Sequence, residues 1–114
     1  MDEHEPFKPA VLHILLALAE RDLHGYALMQ AVAHQSNGRI TLRTGSLYRH
    51  LARLIDEGLV DEAAPPSEVE DIRRGVHYRL TTLGARALEH ERTYLTRVMT
   101  AFRAVDRRLR KDLA

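Results

Sequence analysis

Four arginines and no acidic residue distinguish the segment from Arg39 to Arg53. Arg49 and Arg53 stand four positions apart, so both guanidinium groups would share one face of a helix. Like charges at that spacing destabilise an isolated helix by about 0.2–0.5 kcal/mol. A phosphate backbone beside the face would turn this repulsion into attraction. The spacing therefore indicates a surface that binds a polyanion.

A helix that begins near Thr44 would position these arginines. Thr44 is predicted to cap it, because a hydroxyl can accept from the free N–H groups of the first turn. Gly58 is predicted to end it in a left-handed turn. The apolar face would consist of residues at helical spacing, Leu47, Leu51, Leu54 and Ile55. The opposite face would carry Ser46, Arg49, His50 and Arg53.

The composition excludes several classes of protein. The 114 residues suit one domain, 45% are apolar, and the absence of cysteine excludes disulfides and thiolate chemistry. The longest apolar run, Ala10–Ala19, is too short to cross a bilayer, and the acidic start does not resemble a signal peptide. The histidines are scattered and no metal site or cofactor is expected. We expect a cytoplasmic protein without a membrane partner.

The net charge of +1 conceals strong local charges. The range from Asp56 to Asp71 holds seven acids and no Lys or Arg, whereas Arg73 to Arg86 holds four arginines and no acid. Arg103 to Lys111 contains five basic residues. Because local potential steers a polyanion, a nearly neutral chain can still bind one.

Two further helices are predicted before the basic one. Helix 1 spans Lys8–Arg21 and is apolar on more than one face, so a second subunit as well as its own core should cover it. A short connection, Asp22 to His24, leads to helix 2 over Gly25–Gln35, which Asn37-Gly38 ends. Arg39 to Arg43 should be briefly extended. Two helices joined by a short turn, the second basic, indicate a helix-turn-helix.

A strand–loop–strand pattern follows. Leu59–Ala64 is predicted as one strand and Val76–Leu80 as the other, with Val76, Tyr78 and Leu80 on one face and His77 and Arg79 on the opposite face. Pro65-Pro66 begins the polar loop between them. This hairpin would be a wing, with Arg73 and Arg74 at its returning base.

A last helix should begin at Thr81 or Thr82 and run to about Lys111, roughly 45 Å. One core of this size cannot cover such a length, so its apolar seam predicts a partner helix in a two-fold dimer. The predicted fold class is mainly α with a small β-hairpin: a winged helix-turn-helix in residues 1–80 and a C-terminal dimerisation helix in residues 81–114. The dimerisation seam is Leu88, Leu95, Val98, Met99, Phe102, Val105, Leu109 and Leu113.

Three segments in this order resemble the PadR family of bacterial transcriptional regulators: LHGYALMQ (23–30), TGSLYRHLARLIDEGLV (44–60) and HYRLTTLGARAL (77–88). The architecture is similar to the short subfamily with a single C-terminal dimerisation helix. The resemblance implies a homodimeric repressor that binds a pseudo-palindromic operator, with the basic helix that begins near Thr44 in the major groove and Tyr48 at its DNA-facing end. It also implies small aromatic or hydrophobic effectors, bound between the winged core and the long helices, that release DNA.

Two features depart from the family pattern. Family wings are often rich in Gly and Lys or Arg at the tip, whereas this tip carries Pro65, Pro66, Glu68, Glu70 and Asp71. Phosphate would repel the three carboxylates, so the DNA-contacting role is carried over only to Arg73 and Arg74 at the base of the wing. The chain has no tryptophan, on which some short members stack drugs.

Several residues admit a second interpretation. Arg53 could pair with Glu57, and Arg43 could contact phosphate or be solvated. Tyr48 could pack against the wing or meet DNA. Thr44 and Ser46 could cap the helix, contact phosphate, or do both. His50 could be a solvated surface residue that contacts no base. Arg73 and Arg74 could form ion pairs with the acidic residues of the wing.

The leading hypothesis is a sequence-specific transcriptional regulator of double-stranded DNA. Phosphate contacts would come from Arg43, Thr44, Ser46 and Arg73, and base contacts from Arg49, His50 and Arg53. The alternative, suggested by the acidic wing tip, is a winged-helix protein-interaction module without DNA binding. An enzyme is not expected, because no nucleophile–base pairing, phosphate loop or metal spacing occurs. Helix 1 and the long helix could leave an effector pocket between subunits that includes Tyr94, Met99 and Phe102, although these residues are better explained as dimer core.

Overall fold

The computed structural model describes residues 5–64 and 75–114. Within them the chain forms four helices and a three-stranded antiparallel sheet of order β1-β3-β2. The predicted fold class, a mainly helical winged helix-turn-helix with a long C-terminal helix, is confirmed. The elements are α1 Pro9–Glu20, β1 Leu23–His24, α2 Gly25–Gln35, α3 Thr44–Asp56, β2 Val60–Ala63, β3 His77–Leu80 and α4 Thr82–Leu113.

The core lies where α1, α2 and α3 bring their apolar faces together above the sheet. Burying each such side chain stabilises the fold by about 1.5–3 kcal/mol relative to leaving it exposed. This packing fixes the orientation of α3 and therefore decides which of its residues face solvent. The side chains with at most 1% exposure include Ile14, Leu15, Leu28, Val32, Leu47, Leu51 and Val60.

The turn between α2 and α3 is held by one buried hydroxyl. Ser36 Oγ accepts from the backbone N–H of Ile40 at 2.9 Å. Asn37 and Gly38 take left-handed φ values of 55° and 80°, which confirms that they end α2. The segment from Arg39 to Arg43 then leads directly into α3. Gly58, at φ 79°, ends α3 as predicted.

The sheet has one strand more than predicted, and β3 has buried residues on both of its faces. Leu23–His24, predicted as a simple connection, is strand β1 and pairs with β3 in the register His24↔His77. His77, predicted on the face opposite Val76, Tyr78 and Leu80, is only 3% exposed, whereas Val76 is 46% exposed. The reason is the additional strand: the rings of His24 and His77 meet edge to face at 5.4 Å and cover that side.

The start of α4 is bound tightly to the winged core. Thr81, one of the two predicted caps, caps it: its Oγ1 accepts from Gly84 N at 2.9 Å and donates to Gly58 O at 2.6 Å. A Cβ on Gly84 would collide with the backbone oxygen of Leu59. On the other side, the N–H of Phe7 donates to Glu91 Oε2 at 3.1 Å, and Glu91 is buried. Beyond this point α4 is mostly exposed, and the longest extent of the molecule is 55 Å.

Candidate nucleic-acid interface

Helix α3 has one buried face and one open face. Leu47, Leu51 and Leu54 are each at most 3% exposed and attach the helix to the core. Arg49 and Arg53 lie on the opposite side and are exposed. Tertiary packing therefore leaves both guanidinium groups accessible to a ligand.

The first turn of α3 begins one residue earlier than predicted. Arg43, not Thr44, occupies the N-cap with an extended ψ of 158°, and Thr44 is already helical. Among the described residues, no side chain caps this helix. The prediction of a Thr44 cap was wrong, because the hydroxyl belongs to a residue inside the first turn. Arg43 and Thr44 are exposed, and Ser46 is half-buried, so all three border the unpaired N–H groups at this end.

His50 lies at the edge of the open face and is half-buried. Burial, and then the positive charges of Arg49, Lys8 and Arg53, lower the pKa of its imidazole below 6.5. The lowered pKa favours the neutral ring, which can both donate and accept a hydrogen bond. Lys8 was not among the predicted site residues; only the fold brings the start of α1 near α3.

The two arginines of α3 differ in their partners. Arg53 Nε lies 3.5 Å from Glu57 Oε2, so the ion pair considered from the sequence does form. Both side chains are largely exposed, and such pairs contribute about 0–1 kcal/mol. Among the described residues Arg49 forms no ion pair. Arg49 is thus the more available of the two cations.

Tyr48 packs against the start of α2 and is also partly exposed to solvent. The side chain is 46% exposed. Its phenol lies across the first residue of α2: an ideal Cβ on Gly25 would be only 2.6 Å from Tyr48 Oη. Burial, and then the Tyr48 phenol and the Glu62 carboxylate, raise the pKa of Tyr78, so Tyr48 also lies near the wing sheet.

The wing is described only at its two strands. Arg73 and Arg74 lie outside the described residues. On the strands themselves, Arg79 Nη2 pairs with Asp61 Oδ2 at 3.4 Å across β2 and β3.

The C-terminal half of α4 presents an apolar stripe. The exposed fraction is 38% for Leu95, 50% for Met99, 54% for Phe102, 47% for Val105 and 40% for Leu109. Exposed apolar residues aligned at this spacing indicate a surface that another apolar surface covers. Two members of the predicted seam are less accessible: Val98 is half-buried, and Leu88 packs against the core of its own chain.

A groove of about 500 Å³ lies between α1 and α4. Of the three residues suggested for it from the sequence, Met99 lines the groove, whereas Tyr94 and Phe102 do not. Its wall is mainly apolar and also includes charged residues. The lining includes Leu12, Leu16, Leu88, Leu95, Met99, Glu89 and Arg92.

The described residues contain neither a metal-binding cluster nor a membrane-spanning helix. Over residues 5–64 and 75–114, no cluster of three or more His, Asp or Glu side chains could hold a metal ion. Within the same ranges, no helix combines the length and the apolar character needed to span a membrane.

A winged helix-turn-helix whose third helix turns an open cationic face to solvent defines the chain as a DNA-binding transcription regulator. The sequence profile of the transcriptional regulator PadR-like family matches residues 14–90, and the chain belongs to this family. Proteins of this family are regulators and not enzymes, which confirms that expectation.

Solved structures agree with the fold. A transcriptional regulator from Clostridium thermocellum is similar with a TM-score of 0.67 and 19% identity, over 83% of this chain and 87% of that one. A PadR family transcription regulator from hypervirulent Clostridium difficile gives 0.62 and 18%, over 94% and 100%. RosR of H. salinarum gives 0.65 and 24%, over 97% and 92%. No curated protein matched the chain in sequence.

Proposed function

We propose that this chain is a homodimeric, effector-responsive repressor that binds a pseudo-palindromic operator through α3. The observation that carries the proposal is the open face of α3, where Arg49 and Arg53 are exposed while the leucines behind them are fully buried. A rigidly mounted cationic helix matches the major groove in width and charge.

The contacts divide into two kinds. Arg43, Thr44 and Ser46 at the start of α3, together with Arg73 and Arg74 of the wing, would meet phosphates and fix the register. The remaining side chains of the open face, Tyr48, Arg49, His50 and Arg53, would approach base edges, where an arginine can bind guanine through two hydrogen bonds.

The dimer would form along the apolar stripe of α4. Residues 81–114 would thus serve as the dimerisation helix, and residues 1–80 as the DNA-binding domain. Two half-sites about one helical turn apart, roughly 34 Å, would match the two copies of α3. The two-fold axis of the protein would then explain a pseudo-palindromic operator, and such a regulator acts in the cytoplasm with the DNA it binds.

The groove between α1 and α4 supports an effector site. Its apolar wall fits a small aromatic or hydrophobic molecule, and the charged side chains in its lining could orient a polar substituent. Because both helices would contribute to the dimer, a bound molecule would shift the relative position of the two copies of α3. Titrating planar aromatic compounds against the DNA complex should release DNA. Compounds that bind the protein without changing its DNA affinity would argue against this role.

The central test is a salt titration. A duplex selected from a random-sequence pool by the wild-type chain would be titrated by fluorescence anisotropy at several salt concentrations. The logarithm of the association constant should fall linearly with the logarithm of salt, by about 0.9 per phosphate contacted. Failure to select or retard any duplex at low salt would favour the protein-interaction module. Placing the selected site across a promoter, with a reporter behind it, would separate repression from activation.

A further inference from the structure

The backbone conformation of Gly25, the first residue of α2, does not require a glycine. The glycines with positive φ among the described residues are Gly38, Gly58 and Gly75, and Gly25 is not one of them. Any residue could therefore adopt its backbone conformation. Nothing in the backbone of this position therefore favours glycine over alanine, which is the better residue in a helix interior by up to about 1 kcal/mol.

The space beside Gly25 is filled by Tyr48. An ideal Cβ at residue 25 would lie 2.6 Å from Tyr48 Oη and 3.3 Å from Tyr48 Cζ. Both distances are shorter than ordinary van der Waals contact, whereas Leu47 Cδ2 lies at an acceptable 3.7 Å. The conflict concerns the phenol of Tyr48 and leaves the core undisturbed.

Tyr48 is placed at the meeting point of three elements. It belongs to α3, it lies against α2 at Gly25, and it is near enough to Tyr78 of β3 to contribute to the raised pKa of that residue. Its side chain is 46% exposed. Because the end of the phenol is packed against Gly25, the room left by that glycine sets the position of the whole ring.

We propose that Gly25 is a positioning residue of the DNA interface: by leaving room for the phenol, it holds Tyr48 against α2 in the orientation that contacts DNA. This inference rests on the proposed DNA-binding function. It adds a role for a residue of α2 that carries no side chain and cannot touch DNA through one.

Gly25→Ala tests the inference because stability and affinity should change in opposite directions. The added methyl group favours the helix, and the half-exposed Tyr48 can swing outward, so the melting temperature should stay unchanged or rise. Affinity for the selected duplex should fall about tenfold, within the range of coupling between residues in contact. A loss of affinity accompanied by an equal loss of stability would indicate a merely structural role and overturn the inference.

A double-mutant cycle with Tyr48→Phe provides the decisive comparison. Removing Oη removes the atom at 2.6 Å, so Gly25→Ala should cost far less affinity in the Tyr48→Phe background than in the wild-type background. Equal losses in the two backgrounds would overturn the inference. Nitration of tyrosines, read by mass spectrometry, gives a measurement without DNA: Tyr48 should react faster in Gly25→Ala, and an unchanged rate would count against displacement. If the wild-type chain binds no duplex, the proposed function is wrong. The nitration rates then still test whether Gly25→Ala displaces Tyr48.

Discussion

Helices α3 and α4 both leave one long face uncovered, but the uncovered faces are chemically opposite. On α3 the three leucines at helical spacing are buried, and the exposed residues include Arg49 and Arg53. On the distal part of α4 the apolar residues themselves are exposed, among them Met99, Phe102 and Val105. A charged exposed face is stable in water and attracts a polyanion, whereas an apolar exposed face costs free energy until another apolar surface covers it. The open face of α3 is therefore suited to bind a polyanion, and that of α4 to bind an apolar protein surface.

The largest effect should come from placing a charge in the apolar face of α4. Phe102→Glu would bury an unpaired carboxylate between two copies, and we expect a loss of at least ~2 kcal/mol of association free energy. Sedimentation equilibrium should show monomers, and operator affinity should drop by two orders of magnitude or so because the two half-sites are no longer linked. Ala104→Glu, with the same charge on the opposite side of α4, should remain dimeric. If both variants associate like the wild type, the stripe is not the interface.

Removing a cation from α3 should have the next largest effect. Arg49→Ala is expected to weaken binding to the selected duplex by ~1–3 kcal/mol if Arg49 contacts a guanine. Arg86→Ala removes the same charge from the exposed side of α4 and should change affinity only slightly. Anisotropy titrations of both variants at one salt concentration make the comparison. Equal affinities for Arg49→Ala and the wild type would refute the assignment.

The contrast between the helices also depends on how firmly α4 is attached to the winged core. Gly84→Ala would push a methyl group into the backbone of Leu59, and we expect a loss of ~1–3 kcal/mol in the free energy of unfolding. Gly45→Ala meets nothing within 4 Å in α3 and should stabilise by ~0.5–1 kcal/mol. Urea denaturation of the two variants measures both signs. If Gly84→Ala left the free energy of unfolding unchanged, α4 would be able to move away from Leu59 without cost.

A smaller effect concerns the ion pair that competes with DNA for Arg53. Glu57→Gln removes the carboxylate partner, lowers stability by ~0.3–0.5 kcal/mol and should strengthen DNA binding because Arg53 is released. Glu89→Gln is the matched control, since Glu89 pairs with Arg92 on α4 at 3.0 Å. Only Glu57→Gln should tighten binding. Identical affinities for the two variants would indicate that Arg53 does not approach the DNA.

The smallest expected effect is a pH dependence through His50. Its pKa is lowered in the folded chain, so the unfolded chain takes up a proton first, and stability falls as the pH drops below about 6.5. Nearby phosphate would favour the charged ring and raise the pKa in the complex. DNA affinity should therefore rise as the pH falls from about 7 to about 5.5. His50→Gln should flatten this rise and His90→Gln should not; a profile unchanged by His50→Gln would place His50 away from phosphate.

The sequence was most informative where one local rule acted alone. Helical spacing predicted the buried face of α3, Gly58 predicted its end, and Thr81 predicted the start of α4. It failed where the answer depended on a distant segment. His77 is buried because β1 lies beside β3, and Leu23 and His24 gave no local pattern long enough to indicate a strand.

The candidate site shows the same division. The cations of α3 were predictable from their spacing, but the nearness of Lys8 to His50 and the contact of Tyr48 with Gly25 were not. The wrong cap at Thr44 has a simple cause: Arg43 and Thr44 are both plausible by position, and the hydroxyl alone favoured the second. The wing arginines Arg73 and Arg74 and the boundary after residue 80 stay predictions.

Periodicity and charge along the chain determined the kind of elements, the cationic face of α3 and the apolar face of α4, because these properties belong to neighbours in sequence. The tertiary structure alone decided that β1 completes the sheet, that Glu91 holds the backbone of Phe7, and that Gly25 makes room for Tyr48. Each of those contacts joins residues from separate elements, and only packing brings such residues within van der Waals or hydrogen-bonding distance.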